Sequence, residues 1–241
     1  MNQYLKRHLG HAIQERLRVM PAVVITGARQ TGKSTLVRDA GDPSRKYMTL
    51  DDLDTLDAAQ QDPQSLVGGS QPLTLDEVQR EPRLLVSVKR EIDRGRRPGQ
   101  FLITGSANLL LMRRSSESLA GRAVYLTLWP MTRGEQRGLG TCGIWEELLA
   151  KADLEWPDVL SGRPDTAEDW RSLARRGGFP DPVLHMISDR DRAVWFDGYV
   201  QTYLERDIRD LSPISSLPEF RRLMRAASLR VGQILNQTDM G

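Results

Sequence analysis

The chain has 241 residues, of which 39% are hydrophobic and 27% charged, with a formal net charge of +2. This is typical of a soluble globular protein, long enough for one α/β domain and a smaller helical one. No apolar run approaches the roughly 18 residues that span a bilayer, and the charged N-terminus lacks the apolar core of a signal peptide. We therefore expect a cytoplasmic protein without a membrane segment. A single cysteine, Cys142, excludes an intrachain disulfide and a multi-cysteine metal site.

The first half of the chain alternates helical and strand patterns. A leading amphipathic helix is predicted over residues 3–19, where apolar residues recur at every fourth position: Leu5, Leu9, Ile13 and Leu17. Short apolar runs typical of buried strands follow at residues 22–26, 47–50, 73–75, 101–104 and 123–128. Helical patterns separate several of these runs, one of them ending near Gly95. The alternation predicts an α/β fold of three layers, with a parallel sheet covered on both faces.

After about residue 130 the strand patterns fade and helical patterns replace them. Thr132 and Glu135 fit a capping box, and a helix opened by residues 166–169 is predicted to end at Gly177. A long helix is predicted from Asp189 to Leu211, stopped by Pro213. Its buried face is predicted to carry six residues: Phe196, Val200, Tyr203, Leu204, Ile208 and Leu211. The second half is therefore predicted to be a helical extension.

Residues 27–34 read GARQTGKS, which matches the Walker A pattern, and they stand between a strand and a helix as that motif requires. Glycine lets the backbone amides turn towards phosphate oxygens, and the helix N-terminus adds its positive dipole end. Lys33 is assigned to the β- and γ-phosphates, Ser34 to Mg²⁺ and Thr35 to the α-phosphate. The predicted phosphate site comprises Gly27, Ala28, Arg29, Gln30, Thr31, Gly32, Lys33, Ser34 and Thr35. The alternative is a glycine-rich turn with a solvated lysine.

Two carboxylates end the third apolar run. Asp76 would hold Mg²⁺ through water, and Glu77 would orient or deprotonate the attacking water. The alternative is an acidic turn at a strand end.

Small polar residues end the fourth apolar run. Thr104 or Ser106 could hydrogen-bond the γ-phosphate or the water if this strand lies beside the Walker A strand. Ser106 is equally suited to cap a helix over residues 107–112. Arg122, just before the fifth run, could supply positive charge to a γ-phosphate in the same or a neighbouring subunit, or form an ordinary surface ion pair.

Taken together, the series GARQTGKSTL, LTLDEVQR, FLITGSANLLL, ESLAGRAVYLTLWPMTRGE and GGFP resembles a prokaryotic family of AAA-type ATP-binding proteins whose C-terminal half is a domain of unknown function. The resemblance covers nearly the whole chain and implies an AAA-like strand order, a helical lid and an intracellular location. It carries Lys33, Ser34, Asp76 and Glu77 into the nucleotide roles given above. Relatives continue beyond the position of Gly241, so the chain is expected to be a C-terminally truncated form.

We therefore predict a leading helix at 1–19, a P-loop ATPase core at 20–130 and a helical, lid-like region at 131–241. The expected function is MgATP binding and hydrolysis that drives or times a conformational change. The alternatives are a nucleotide-dependent switch with negligible hydrolysis and a small-molecule P-loop kinase. AAA relatives often work as oligomers, so a homo-oligomer is expected. Arginines at 221, 222, 225 and 230 leave a nucleic-acid or protein partner of the C-terminal region open.

Overall fold

The computed structural model describes residues 5–40, 42, 44–106, 119–139, 144–161, 168–204 and 216–233. Its centre is a five-stranded, fully parallel sheet in the order β2-β3-β4-β1-β5. The strands are β1 Ala22–Thr26, β2 Lys46–Thr49, β3 Leu73–Asp76, β4 Phe101–Thr104 and β5 Ala123–Thr127. All five predicted strands are confirmed, and β1 lies between β4 and β5, with Val23 paired to Leu102 and Val124.

Helices make up the regular structure of the described residues outside the sheet. Those before β5 are α1 Leu9–Leu17, α2 Lys33–Ala40, α3 Leu53–Gln61, α4 Pro63–Val67 and α5 Leu84–Arg94. Those after β5 are α6 Arg133–Gln136, α7 Ile144–Leu149, α8 Trp156–Leu160, α9 Trp170–Arg176, α10 Pro180–Leu184, α11 Asp189–Tyr199 and α12 Leu217–Ser228. Short 3-10 turns lie at Val78–Arg80 and Asp153–Glu155, and a π-turn at Val200–Leu204.

The two faces of the sheet are covered by different helices, because successive residues of a strand point to opposite sides. Val24 and Ile103 belong to a buried cluster with residues of α3, α4 and α5. Val23 and Leu102 belong to a second cluster with residues of α1 and α2. The predicted three-layer parallel α/β fold with a helical extension is therefore confirmed. Parallel strands also bring the ends of β1, β3 and β4 to one edge, where such sheets place ligands.

Arg45 links three strands at the other end of the sheet, where the strands begin. Its guanidinium donates to the Thr74 hydroxyl (3.2 Å) and to the carbonyls of Gly99 and Leu73 (2.5 Å each). Arg45 directly precedes β2, so its side chain connects the start of β2 to β3 and to the residues just before β4. Burial lowers the pKa of Arg45 to about 10.

One predicted helix start is corrected. The leading helix begins at Leu9 rather than near residue 3, because tertiary hydrogen bonds hold the residues before it, the His8 N–H among them. By contrast, the helix predicted to be opened by residues 166–169 and to end at Gly177 is confirmed as α9, which Asp169 caps through the N–H groups of Arg171 and Ser172. The predicted capping box at Thr132 and the helix end near Gly95 are also confirmed.

The long helix predicted from Asp189 is regular only to Tyr199, and the π-turn Val200–Leu204 follows. Tyr199, which was not among the predicted core residues, is buried at the end of the regular helix. Its ring stacks on Trp195 with centroids 5.2 Å apart. Ile208 and Leu211 lie outside the described residues, as do Cys142 and the helix predicted over 107–112.

The chain forms two compact units, Met1–Arg192 and Ala193–Gly241. The first contains the sheet and every candidate nucleotide residue. In the second, Ser216 caps α12 through the Glu219 N–H. Among the described residues, no helix is both long enough and apolar enough to cross a lipid bilayer.

Candidate nucleotide site

The loop between β1 and α2 has the glycine geometry that its sequence predicts. Gly27 has φ +150°, and a Cβ there would lie 2.4 Å from the Leu128 carbonyl oxygen. Gly32 has φ +89°, while its nearest neighbours would be 3.7 Å or more from a Cβ. Gln30 takes the left-handed conformation with φ 60°. The loop therefore backs tightly onto the end of β5 at Gly27, whereas at Gly32 a Cβ would make only ordinary contacts with Pro180 and Arg7, and the positive φ is what favours glycine there.

Lys33 is held within the curve of this loop. Its side chain is buried, and Nζ donates to the carbonyls of Gly27 (3.1 Å) and Ala28 (2.8 Å). Thr31 is also buried and donates to the Ala28 carbonyl (2.9 Å). A buried ammonium at the N-terminus of α2 concentrates positive charge where the helix dipole is also positive.

Asp76, at the end of β3, accepts hydrogen bonds from three different elements. Its Oδ1 accepts from the Ser34 hydroxyl of α2 (3.1 Å) and from the Thr104 hydroxyl of β4. Its Oδ2 accepts from the Tyr47 hydroxyl of β2 (2.7 Å). The predicted residues Ser34, Asp76 and Thr104 are therefore brought together, and these hydroxyl and carboxylate oxygens are the hard ligands that Mg²⁺ prefers.

Tyr47 was not predicted as a site residue. Burial, with the hydrogen bond to Asp76, raises the pKa of its hydroxyl to about 12, so it remains a donor to that carboxylate at neutral pH. The Arg38 guanidinium donates to the same hydroxyl (3.0 Å) and lies 4.5 Å from the ring centroid. Tyr47 sits mid-strand in an apolar run, and nothing in the sequence distinguishes it from a core residue.

Glu77 follows Asp76 in an unusual backbone conformation. Its φ is 61°, left-handed for a non-glycine residue. The Thr104 hydroxyl accepts its N–H (3.0 Å), and Gln79 Nε2 donates to its carboxylate oxygen Oε2. Gln79 Oε1 in turn accepts the Ser106 N–H (3.0 Å). Glu77, Thr104 and Ser106 are thus gathered at one edge, and Gln79 is a linking residue that the sequence reasoning did not identify.

A cavity of about 260 Å³ is lined in part by Gly32 of the P-loop. Its apolar lining includes Leu36, Met131 and Pro180, and its polar lining includes Thr35 and His185. Pro180 belongs to the GGFP sequence, which is held in place because the Gly178 carbonyl accepts the Met131 N–H (2.6 Å). The cavity therefore combines an apolar wall with polar groups next to the head of α2.

Arg7 ties the N-terminal segment to the P-loop. It donates to the carbonyls of Thr31 (2.8 Å) and Trp129 (2.6 Å), and its Nε lies 3.2 Å from Glu135 Oε1. Glu135 also accepts the N–H groups of His8 (2.7 Å) and Thr132 (2.8 Å). The contacts of Arg7 with Trp129 and Glu135 join residues more than 120 positions apart, so no local sequence pattern could have revealed Arg7.

Arg122 lies away from these groups. It directly precedes β5, at the amino edge of the sheet, and forms a two-pronged ion pair with Asp93 (2.6 and 3.0 Å). The hydrogen bond to Asp93 raises its pKa. Within one chain, the fold does not bring Arg122 to the P-loop. In the described part of the chain, no group of three or more His, Cys, Asp or Glu side chains could hold a metal ion.

Comparison with known families agrees with this geometry. A family model described as an AAA domain matches residues 20–136, and a model described as a domain of unknown function matches residues 167–241. The chain belongs to the AAA-type P-loop ATPases that carry a C-terminal domain of unknown function. Uncharacterized proteins of Mycobacterium tuberculosis and Mycobacterium bovis are each 33% identical over 237 residues, 98% of this chain. The chain spans 47% of their length.

Among solved structures, a Walker-type ATPase shares the fold of this AAA-type chain. The Walker-type ATPase of Pyrococcus abyssi superposes with a TM-score of 0.55 at 14% identity, over 91% of this chain and 78% of that one. AMPPCP-bound DnaA from Aquifex aeolicus gives 0.45 at 15% identity, over 92% and 68%. At 14% identity the likeness to the Pyrococcus abyssi protein is one of fold alone.

Proposed function

We propose that this AAA-type chain binds MgATP and hydrolyses it to drive or time a conformational change. One observation carries the proposal. The Ser34 hydroxyl, in the first turn of α2, lies 3.1 Å from Asp76 Oδ1 at the end of strand β3. Ser34 directly follows the buried Lys33 in the chain. A hydroxyl, a carboxylate and an ammonium in this order are the groups by which P-loop NTPases hold a metal-bound nucleotide.

The residues present fit the ligand. Backbone amides of residues 27–35 and Lys33 Nζ would bind the phosphates, while Ser34 and Asp76 supply the oxygens for Mg²⁺. The cavity lined by Leu36, Met131 and Pro180 is the proposed site for the adenine ring of the nucleotide, since its apolar wall suits an aromatic ring. Bound Mg²⁺ would neutralise phosphate charge.

Hydrolysis requires a base for the attacking water, and Glu77 is the group we assign to it. Its Oε2 is engaged by Gln79, so Oε1 is the oxygen assigned to accept a proton of the water. The water oxygen would bond to the γ-phosphorus as the bond from that phosphorus to the β–γ bridging oxygen breaks, with ADP as the leaving group. The Thr104 hydroxyl accepts the Glu77 N–H, and Ser106 is buried just after the end of β4. We assign both to positioning around the terminal phosphate.

The first experiment is MgATP turnover by the purified chain, with Lys33→Ala and Glu77→Gln. We expect Lys33→Ala to abolish turnover by weakening nucleotide binding, because the buried ammonium is removed. We expect Glu77→Gln to bind nucleotide normally and to lose turnover by about 10²-fold or more. Turnover in Glu77→Gln equal to the parent would exclude Glu77 as the base.

A nucleotide-dependent switch is the second candidate. The Glu77 carboxylate is already restrained by Gln79, and a base held in this way could be withheld until a partner binds. Tight ATP binding without measurable turnover at any protein concentration would favour the switch. A small-molecule kinase would instead consume ATP only when an acceptor is added.

The assembly and location of the chain extend the same proposal. We propose an intracellular homo-oligomer, which would allow Arg122 of one chain to act at another chain's site. A nucleic-acid or protein partner of the C-terminal region remains a proposal that salt-dependent binding would test.

A further inference from the structure

The ends of β3 and β4 are joined by a closed ring of hydrogen bonds. The Glu77 N–H is donated to the Thr104 hydroxyl (3.0 Å), and the Ser106 N–H is donated to Gln79 Oε1 (3.0 Å). Gln79 Nε2 closes the ring by donating to the Glu77 carboxylate. Both functional groups of the Gln79 amide are therefore used, one on each strand end.

The Glu77 backbone makes this ring more than a surface contact. Its left-handed φ of 61° is unfavourable for a non-glycine residue and persists only where the surroundings fix it. The Thr104 hydroxyl fixes the backbone from one side, and Gln79 fixes the carboxylate from the other. The ring therefore determines where the Glu77 carboxylate points.

We infer that Gln79 is a positioning residue that sets the orientation of Glu77 and couples it to the Ser106 backbone. This inference rests on the proposed function, because it assigns Gln79 an effect on turnover through Glu77 and not through nucleotide binding. A movement of the β4 exit is transmitted to the carboxylate through a single side-chain amide. Misplacing a catalytic group by about 1 Å can cost up to 10²-fold in rate, so the effect is measurable.

Two substitutions of nearly the same size separate the two halves of the amide. Gln79→Met removes both hydrogen bonds. Gln79→Glu keeps an acceptor for the Ser106 N–H but replaces the donor to Glu77 with a second carboxylate. We expect kcat to fall about tenfold or more in both variants. The nucleotide Kd, measured by titration with a fluorescent ATP analogue, should change less than about twofold, since the hydrogen bonds of Gln79 run to Glu77 and Ser106 and not to the P-loop.

The Glu variant decides between positioning and mere support of the β4 exit. If Gln79→Glu restores the parental kcat, the amide serves only the Ser106 N–H and the inference is wrong. A parallel loss of nucleotide affinity in both variants would also overturn it, because that result indicates general disruption of the site. If Gln79→Met does not fold, the Glu variant alone gives the answer.

A double-mutant cycle with Glu77→Gln completes the test. If Gln79 acts only through Glu77, then Gln79→Met causes no further loss when added to Glu77→Gln. Additive losses would show an independent role and would overturn the inference. The two proposals fail differently: parental turnover in Glu77→Gln removes the proposed base and this inference with it, whereas a defective Glu77→Gln with normal Gln79 variants removes only the inference.

Discussion

At the scale of single residues, the P-loop depends on close backbone packing at Gly27 as much as on charge. The loop turns back onto the end of β5 at this glycine, whose α-carbon faces the Leu128 carbonyl. That contact sets the distance between the loop and the end of β5. It thereby also sets the position of the Gly27 and Ala28 carbonyls, which accept hydrogen bonds from Lys33.

We therefore expect Gly27→Ala to destabilise the chain by at least about 2 kcal/mol. The new Cβ would lie 2.4 Å from the Leu128 carbonyl oxygen, and the φ of +150° is itself unfavourable for alanine. The measurement is the free energy of unfolding in urea. Gly69→Ala is the matched control, because Gly69 also has a positive φ (+118°) but no atom within 4 Å of a Cβ. Equal losses in the two variants would show that the contact with Leu128 is unimportant.

At the scale of elements, Glu135 joins the start of α6 to the N-terminal segment. Burial raises the pKa of its carboxyl, but the N–H groups of Thr132 and His8 and the charge of Arg7 outweigh burial, so the pKa lies below its ordinary 4.5. Its side chain is 4% exposed and that of Arg7 6%. Removing one partner of a buried ion pair leaves the other charge uncompensated.

We expect Glu135→Gln to lower the free energy of unfolding by about 3 kcal/mol at pH 7. Because the folded-state pKa is depressed, the carboxylate contributes its full stability above about pH 4.5 and loses it as the pH falls through the folded-state value. The difference between parent and variant should therefore shrink in acid. Urea unfolding at a series of pH values measures it.

Glu15→Gln is the control for this prediction. Glu15 is 54% exposed and pairs with Arg16 at 3.5 Å, and a surface pair of this kind contributes under about 1 kcal/mol. A difference for Glu135→Gln that stayed constant down to pH 3 would show that its charge is not what stabilises the segment.

At the scale of the whole molecule, the sequence predicted those features that are local along the chain. Strand and helix periodicity predicted every strand of the sheet, and the spacing around Lys33 predicted the glycine loop between β1 and α2. Features that need tertiary contacts were not predictable. Arg7 meets Trp129 and Glu135 across the fold, and Tyr47 reaches Asp76 only because β2 pairs with β3. Gln79 stands two residues after Glu77, but its role depends on β4 being the next strand.

Arg122 also has to be considered at the level of the whole molecule, because its distance from a bound phosphate depends on whether the chain forms an oligomer. In one chain it lies at the amino edge of the sheet, opposite the edge that carries Ser34 and Asp76. Only a second copy could bring it to a nucleotide. If it acts there, turnover per chain must rise with protein concentration, because the complete site then exists only in the oligomer.

We expect this rise for the parent and expect Arg122→Ala to remove it, measured as MgATP turnover across a protein-concentration series. Arg94→Ala is the matched control: Arg94, whose side chain is 65% exposed, also pairs with a carboxylate, that of Glu91 at 3.4 Å, and its loss should leave the rise intact. The ion pair with Asp93 must break for Arg122 to reach another chain, so Asp93→Asn should steepen the rise. A rate per chain that is flat with concentration in the parent would leave Arg122 as a surface partner of Asp93 and exclude it from the chemistry.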